Sequence, residues 1–230
     1  MGYALQTANT FTPTLPVLPH QLRTNPRHRW MANAGVALHP TLAGNVETWT
    51  DTIGGLALSK LDGSAPSQTA TDGRMSIRSA GRAASALGTT LALSRPHTIA
   101  AAFRLNAFAT TEAQRATILG GRDTWIAVDA SGNLTVNTGT LVGFGSISVG
   151  WHVLVATFGD TTTTLRLDGT ETTKTTGTNP RTTLSLAGVG TNGGDYPMTG
   201  AYTEIAAWDR ALSATERAQV ETDLRAGWNL

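Results

Sequence analysis

The chain carries 16 acidic residues and five histidines, and the first question is which of them could share a reaction. Cleaving a glycosidic bond takes two carboxyl groups on one face, one to protonate the leaving oxygen and one to act as nucleophile or base. Glu204 and Asp209 are five residues apart, so a strand would send them to opposite faces. Glu221-Thr222-Asp223 has the two-residue spacing, but it lies in a stretch that reads as helix, where such positions diverge. His20, His28, His39, His97 and His152 are scattered, and no Gly-x-Ser-x-Gly elbow accompanies them. His152 follows Trp151 in an apolar run and reads as a structural histidine with satisfied ring nitrogens.

Two other chemistries remain. Asp51, Asp123, Asp129, Asp160 and Asp195 fall in or near loops and carry the hard oxygen that Ca²⁺ takes. None has EF-hand spacing and Ca²⁺ needs six or more ligands, so no metal or other cofactor is expected. A saccharide site needs an aromatic face beside amides or carboxylates. Asn192, Asp195 and Tyr196, in the glycine-rich loop from Gly190 to Pro197, supply those types, and so do Asp123 and Trp125. The same loop also fits a solvated turn whose glycines allow positive φ.

The elements that would position these residues are strands. Trp151 to Phe158 is aromatic, β-branched and free of proline. Leu165 and Leu167 alternate with Arg166 and Asp168, and Asp168-Gly169 turns the chain back into a third strand. In Thr98–Leu105, Ile99, Ala101, Phe103 and Leu105 share one face. Thr98, Ala100, Ala102 and Arg104 share the other, where the small residues leave room for a packed element. Further short strands are expected around 36–38, 56–61, 75–78, 87–93, 116–120, 124–129, 133–137 and 182–189. Ser213-Ala214-Thr215-Glu216 fits a capping box, and Val220, Leu224 and Trp228 then mark a helix lying on a sheet.

Length and composition fit one β-rich domain with a full core: 230 residues, 40% hydrophobic, 14% charged, net charge +1. The balance argues against nucleic acid and anionic membranes as partners. With no cysteine, disulfides and thiolate metal sites are excluded. No signal peptide and no run of 18 apolar residues is visible, so synthesis and folding in a cytoplasm are expected. Residues 1–34 differ from the rest. Four prolines between 13 and 26 favour extended chain, and Leu15, Val17, Leu18, Leu22 and Trp30 are too apolar for a disordered tail. With Arg23, Arg27 and Arg29, they are expected to form an arm lying on another subunit.

Several segments resemble the concanavalin A-like lectin/glucanase superfamily in its laminin-G-like branch. Gly150–Phe158 with Leu165–Gly169 looks like the central hairpin of that branch, and Asn45–Asp51 with Gly54 like its early Trp-x-Asp-x-x-Gly segment. His97–Phe103 is similar to a strand of the branch, and Glu204–Ser213 with Glu216 to its closing strand and helix. The resemblance implies an all-β, two-sheet antiparallel jelly-roll sandwich over residues 35–230, with a short C-terminal helix and the arm at 1–34. It also implies that Trp49, Trp151 and Trp208 are core, and it leaves room for a single Ca²⁺ at the rim, which domains of this branch often hold. Hydrolases of this superfamily carry a strand-borne Glu-x-Asp-x-x-Glu; Glu221–Ala226 lacks the last Glu, so no enzyme is expected. The function expected is a structural or adhesion protein of a bacteriophage virion, in the tail or on the capsid surface. It would be present in several copies, held to other virion proteins by the arm, with a lectin-like domain for host-surface glycans. The alternatives are a free carbohydrate-binding module and, third, a glycoside hydrolase.

Overall fold

The computed structural model describes residues 21–42, 44–60, 66–80, 87–108, 115–121, 124–186 and 195–230. In chain order the strands begin with β1 (His28–Met31), β2 (Val36–Leu38), β3 (Val46–Thr50), β4 (Ala57–Lys60), β5 (Ser67–Thr71) and β6 (Arg74–Ala80). They continue with β7 (Leu87–Leu93), β8 (His97–Ala107), β9 (Arg115–Leu119), β10 (Trp125–Val128), β11 (Asn133–Asn137) and β12 (Leu141–Ser146). Then follow β13 (Gly150–Phe158), β14 (Thr162–Leu167), β15 (Thr170–Thr175), β16 (Arg181–Ser185), β17 (Asp195–Pro197), β18 (Thr199–Trp208) and the helix α1 (Ala214–Trp228).

The strands make a sandwich. One layer is a large sheet in the order β15-β14-β13-β8-β18-β6-β5, with β1 also paired to β18. The facing layer consists of β12-β11-β10-β9-β17 and β16-β7-β4-β3-β2, joined where Gly120 and Ser185 exchange backbone hydrogen bonds of 2.8 and 3.0 Å. Among the described residues all pairings are antiparallel except β17 with β9.

Alternation along β8 divides the apolar residues between two clusters. Ile99, Ala101, Phe103 and Leu105 join Trp49, Leu154, Phe158 and Tyr202 between the sheets. Ala100 and Ala102 point outward, where Val220, Leu224 and Trp228 of α1 close over them. The element for which the small face left room is therefore the C-terminal helix. Its capping box forms as expected: Ser213 Oγ accepts from Glu216 N, and Ser213 N donates to Glu216 Oε2 at 2.8 Å.

The segment from 21 to 34 departs from the expected arm. His28–Met31 is a strand on β18, in the register His28↔Ala207 to Met31↔Glu204. β18 outruns β6 on that side, since β6 reaches it only at 199–202, and β1 completes the ladder that would otherwise stand open. Trp30 is fully buried between the sheets, its Nε1 donating to Leu56 O at 3.0 Å, and Leu22 is buried beneath α1. Arg23 forms a forked pair with Asp223 at 2.6 and 2.9 Å, Arg29 Nε meets Glu204 at 2.7 Å, and Arg27 lies 3.6 Å from Asp209 on the surface. These five side chains do need a surface, but it is the chain's own. Leu15, Val17 and Leu18 lie outside the described residues.

Candidate functional site

Asp51, Asp129, Glu204 and Glu221, among the acidic residues that could have done chemistry, are committed to structure. Asp51 is buried and accepts from four backbone N–H groups, those of Arg29, Ile53, Gly54 and Leu56, while His28 Nδ1 lies 2.7 Å from its Oδ2. Burial alone would raise its pKa; the bonds from His28 and the backbone outweigh that and hold it below the ordinary value. A Cβ on Gly54 would stand 2.9 Å from Asp51 Oδ2 and 3.0 Å from His28 Nδ1, so only glycine fits. The Trp-x-Asp-x-x-Gly segment is thus a turn organised around one carboxylate. Asp129 closes a second turn through Ser131 N and Asn133 N. Among the described residues no three His, Asp or Glu side chains are grouped to hold a metal.

Glu204 is wholly buried, with Arg29 Nε and Trp228 Nε1 each at 2.7 Å. Glu221 takes Arg166 at 2.5 Å and Arg225 at 3.2 Å. His152 is satisfied at both ring nitrogens, by Asp168 at 2.6 Å and Ser148 O at 2.8 Å. Of the expected saccharide residues, Trp125 is only 7% exposed and offers no open platform. Asp195 and Tyr196 lie on β17 rather than in a loop. Asp123 and Asn192 lie outside the described residues.

A more accessible indole stands elsewhere. Trp151, expected in the core, is half-buried on the outer face of the large sheet, beyond the area that α1 covers. Strand register sets it in a row across five strands: Trp151 opposite Arg104, Arg104 opposite Ala201, Ala201 opposite Arg78, Arg78 opposite Ser67. Ala201 is the small residue in the middle. It forms the floor of a groove of about 300 Å³ walled by Arg78, Arg104, Asn106, Asp72, Thr69 and Thr71.

The turn after β5 fixes the ring. Trp151 Nε1 donates to Asp72 Oδ2 at 2.9 Å, and Arg104 Nε approaches the same oxygen at 3.1 Å. The Arg74 guanidinium sits 5.2 Å from the ring centre and is itself held by the carbonyls of Asp72, Trp228 and Asn229. Arg104 also donates to Asn106 Oδ1. The arrangement offers one indole and a fringe of guanidinium, amide and hydroxyl groups already oriented, which suits a ligand with an apolar face and many hydroxyls.

A second groove, of about 440 Å³, opens at the sandwich edge between β12 and the β14–β15 hairpin, with Phe144, Leu165, Leu167, His152 and Asp168 in its lining. Its charged groups serve one another. Burial would raise the Asp168 pKa, but bonds from His152 and Val153 N, with Arg225 nearby, hold it low. That leaves apolar walls and hydroxyls, a poorer basis for recognition than the outer groove.

Sequence reasoning missed Arg78 and Arg104 because they belong to strands that meet only through β18. The available signal was Arg104 on the same strand face as Ala100 and Ala102.

Known proteins agree with the architecture. No curated protein matches the sequence. Among solved structures, domain 4 of AbnA, a GH43 extracellular arabinanase from Geobacillus stearothermophilus, in complex with arabinotriose, superposes with a TM-score of 0.62. It is 14% identical, over 85% of this chain and 98% of that one. Trypanosoma rangeli sialidase in complex with sialic acid gives a TM-score of 0.59 at 13% identity, over 86% of this chain and 32% of the sialidase. The chain thus spans about a third of the sialidase's length, and at these identities the likeness is one of fold. A family model of laminin-G type matches residues 79–216, from the end of β6 to the capping box of α1, and by that match the chain belongs to the concanavalin A-like lectin/glucanases superfamily.

Proposed function

We propose that the protein is a non-enzymatic carbohydrate-binding module and that the outer groove beside Trp151 is its binding site. The observation that carries this reading is the partly exposed Trp151 ring, its Nε1 bonded to Asp72 and one face against Arg74, continued across the sheet by Arg104, Ala201 and Arg78. A pre-oriented ring loses little entropy on binding, so stacking against a sugar ring is retained as affinity. The arabinotriose complex of AbnA domain 4, a unit of similar extent and fold, supports the idea that such a domain can hold an oligosaccharide. Binding is favoured over hydrolysis because Glu204 and Glu221 are each buried and engaged by arginine.

The finer placement, an attachment module on a bacteriophage virion, keeps a narrower basis. A fold free of cysteine suits a particle assembled in a cytoplasm. Of the side chains expected to anchor it, Leu15, Val17 and Leu18 are the ones left for that role, because Leu22, Arg23, Arg29 and Trp30 serve the domain itself.

The test is a glycan array followed by titration calorimetry on the wild type and Trp151→Ala. Binding should weaken at least about tenfold in the variant, roughly 1.4 kcal/mol, with the circular dichroism spectrum unchanged. Equal affinity in the variant would displace the site. Release of shorter sugars from a bound oligosaccharide would make the protein an enzyme.

A further inference from the structure

We infer that the sugar taken by this groove is an acidic one, whose carboxylate seats over Ala201 between Arg78 and Arg104. The inference rests on the outer groove being the carbohydrate site. Arg78 and Arg104 stand on the two strands flanking β18, both in register with Ala201. Neighbouring strands are about 4.8 Å apart, so the two arginine backbones lie roughly 10 Å from each other. Two such side chains reach inward across that gap, and the methyl group between them leaves it open.

The charges lining the groove do not cancel. Arg78 and Arg104 face a single carboxylate there, Asp72, which is already engaged by Arg104 Nε and Trp151 Nε1. Arg74 adds a further cation at the Trp151 rim. The Arg78 side chain is exposed and, among the described residues, makes neither a hydrogen bond nor an ion pair. A guanidinium with no partner beside a held guanidinium is a receptor for a planar anion, and a carboxylate matches its fork with two parallel hydrogen bonds. Asn106, Thr69 and Thr71 line the same groove and supply neutral groups for ring hydroxyls. The Trp151 ring lies one strand beyond Arg104, placing the apolar contact at the far end from Arg78. A saccharide unit that stacks at one end and presents a carboxylate at the other spans the row.

The experiment uses the full chain and a panel of glycans in matched pairs that differ only in the acid: oligogalacturonate and its methyl ester, sialyllactose and its methyl ester, and glucuronate-containing oligomers with their carboxyl-reduced forms. A sulfated lactose is included as a non-planar anion. The expected result is binding of at least one acidic member, at least tenfold tighter than its neutral partner and weaker at high salt. Arg78→Gln should bring the acidic member down to its neutral partner, whereas Trp151→Ala weakens both. Neutral partners binding as tightly as the acids, or Arg78→Gln leaving the preference intact, would overturn the acidic assignment and leave the carbohydrate site standing. Sulfated lactose binding as tightly as the carboxylates would overturn the carboxylate in favour of any anion. No binding by any pair member would remove the carbohydrate reading itself.

Discussion

Arg29 and Glu204 form a buried ion pair, Nε to Oε1 at 2.7 Å, that joins the first described strand to the closing strand 175 residues away. Trp228 Nε1 donates to the other carboxylate oxygen, so one side chain holds β1, β18 and the end of α1 together. Glu204→Gln removes the carboxylate charge that faces the buried Arg29 Nε. Breaking a buried pair in this way costs about 3–5 kcal/mol. The melting temperature should fall by roughly 6–20 °C for a domain of this size, without loss of saccharide affinity in the folded protein. Thermal unfolding and calorimetry on the same variant check both halves. Deleting residues 2–33 removes Leu22 and Trp30 from the two clusters and should give insoluble protein.

The turn around Asp51 predicts a separate sensitivity. Gly54→Ala drives a methyl against Asp51 and His28, and overpacking of this kind costs about 1–3 kcal/mol. Asp51→Ala deprives four backbone N–H groups of their acceptor and should cost more, since each unsatisfied donor is worth about 1–3 kcal/mol. Denaturant titration of the two variants should rank them in that order.

His97 sets a dependence on pH. It is fully buried and stacked on Phe158 at 4.8 Å, and burial, with Arg181 and Arg95 nearby, lowers its pKa to about 3. The unfolded chain takes up a proton on this ring below about pH 6.5, and the folded chain does so only near 3. The stability is therefore fully present above 6.5 and is lost as pH falls through that window, at up to about 1.4 kcal/mol per pH unit. His97→Phe keeps the ring stack and removes the titration. Urea unfolding at pH 7, 6 and 5 should show a shallower decline in the variant, the difference isolating His97 from the other four histidines.

What the sequence made legible is local. The β13–β14 hairpin, the two faces of β8 and the capping box of α1 each follow from residues within one or two turns of each other, and each forms as read. β1 escaped because its partner lies at the other end of the chain and a short strand between prolines carries no alternation of its own. Trp151 was misplaced for a different reason. Alternation tells which face a strand residue takes but not how far along that face the helix reaches. A helix of 15 residues is only about 22 Å long, and it leaves the Gly150 end of β13 uncovered. The groove is what the helix fails to cover, and its arginines become neighbours only through Ala201.

The six tryptophans allow the binding site to be read directly, as indole N–H signals in a ¹⁵N–¹H spectrum titrated with the tightest-binding oligosaccharide of the paired panel. Trp30, Trp49 and Trp208 are sealed in the interior and serve as internal controls. The account predicts that the Trp151 signal, whose N–H is given to Asp72 at the groove wall, moves in saturable fashion while those three stay fixed. A saturating titration that leaves Trp151 unmoved, or that moves Trp125 instead, would contradict the placement of the site on the outer face.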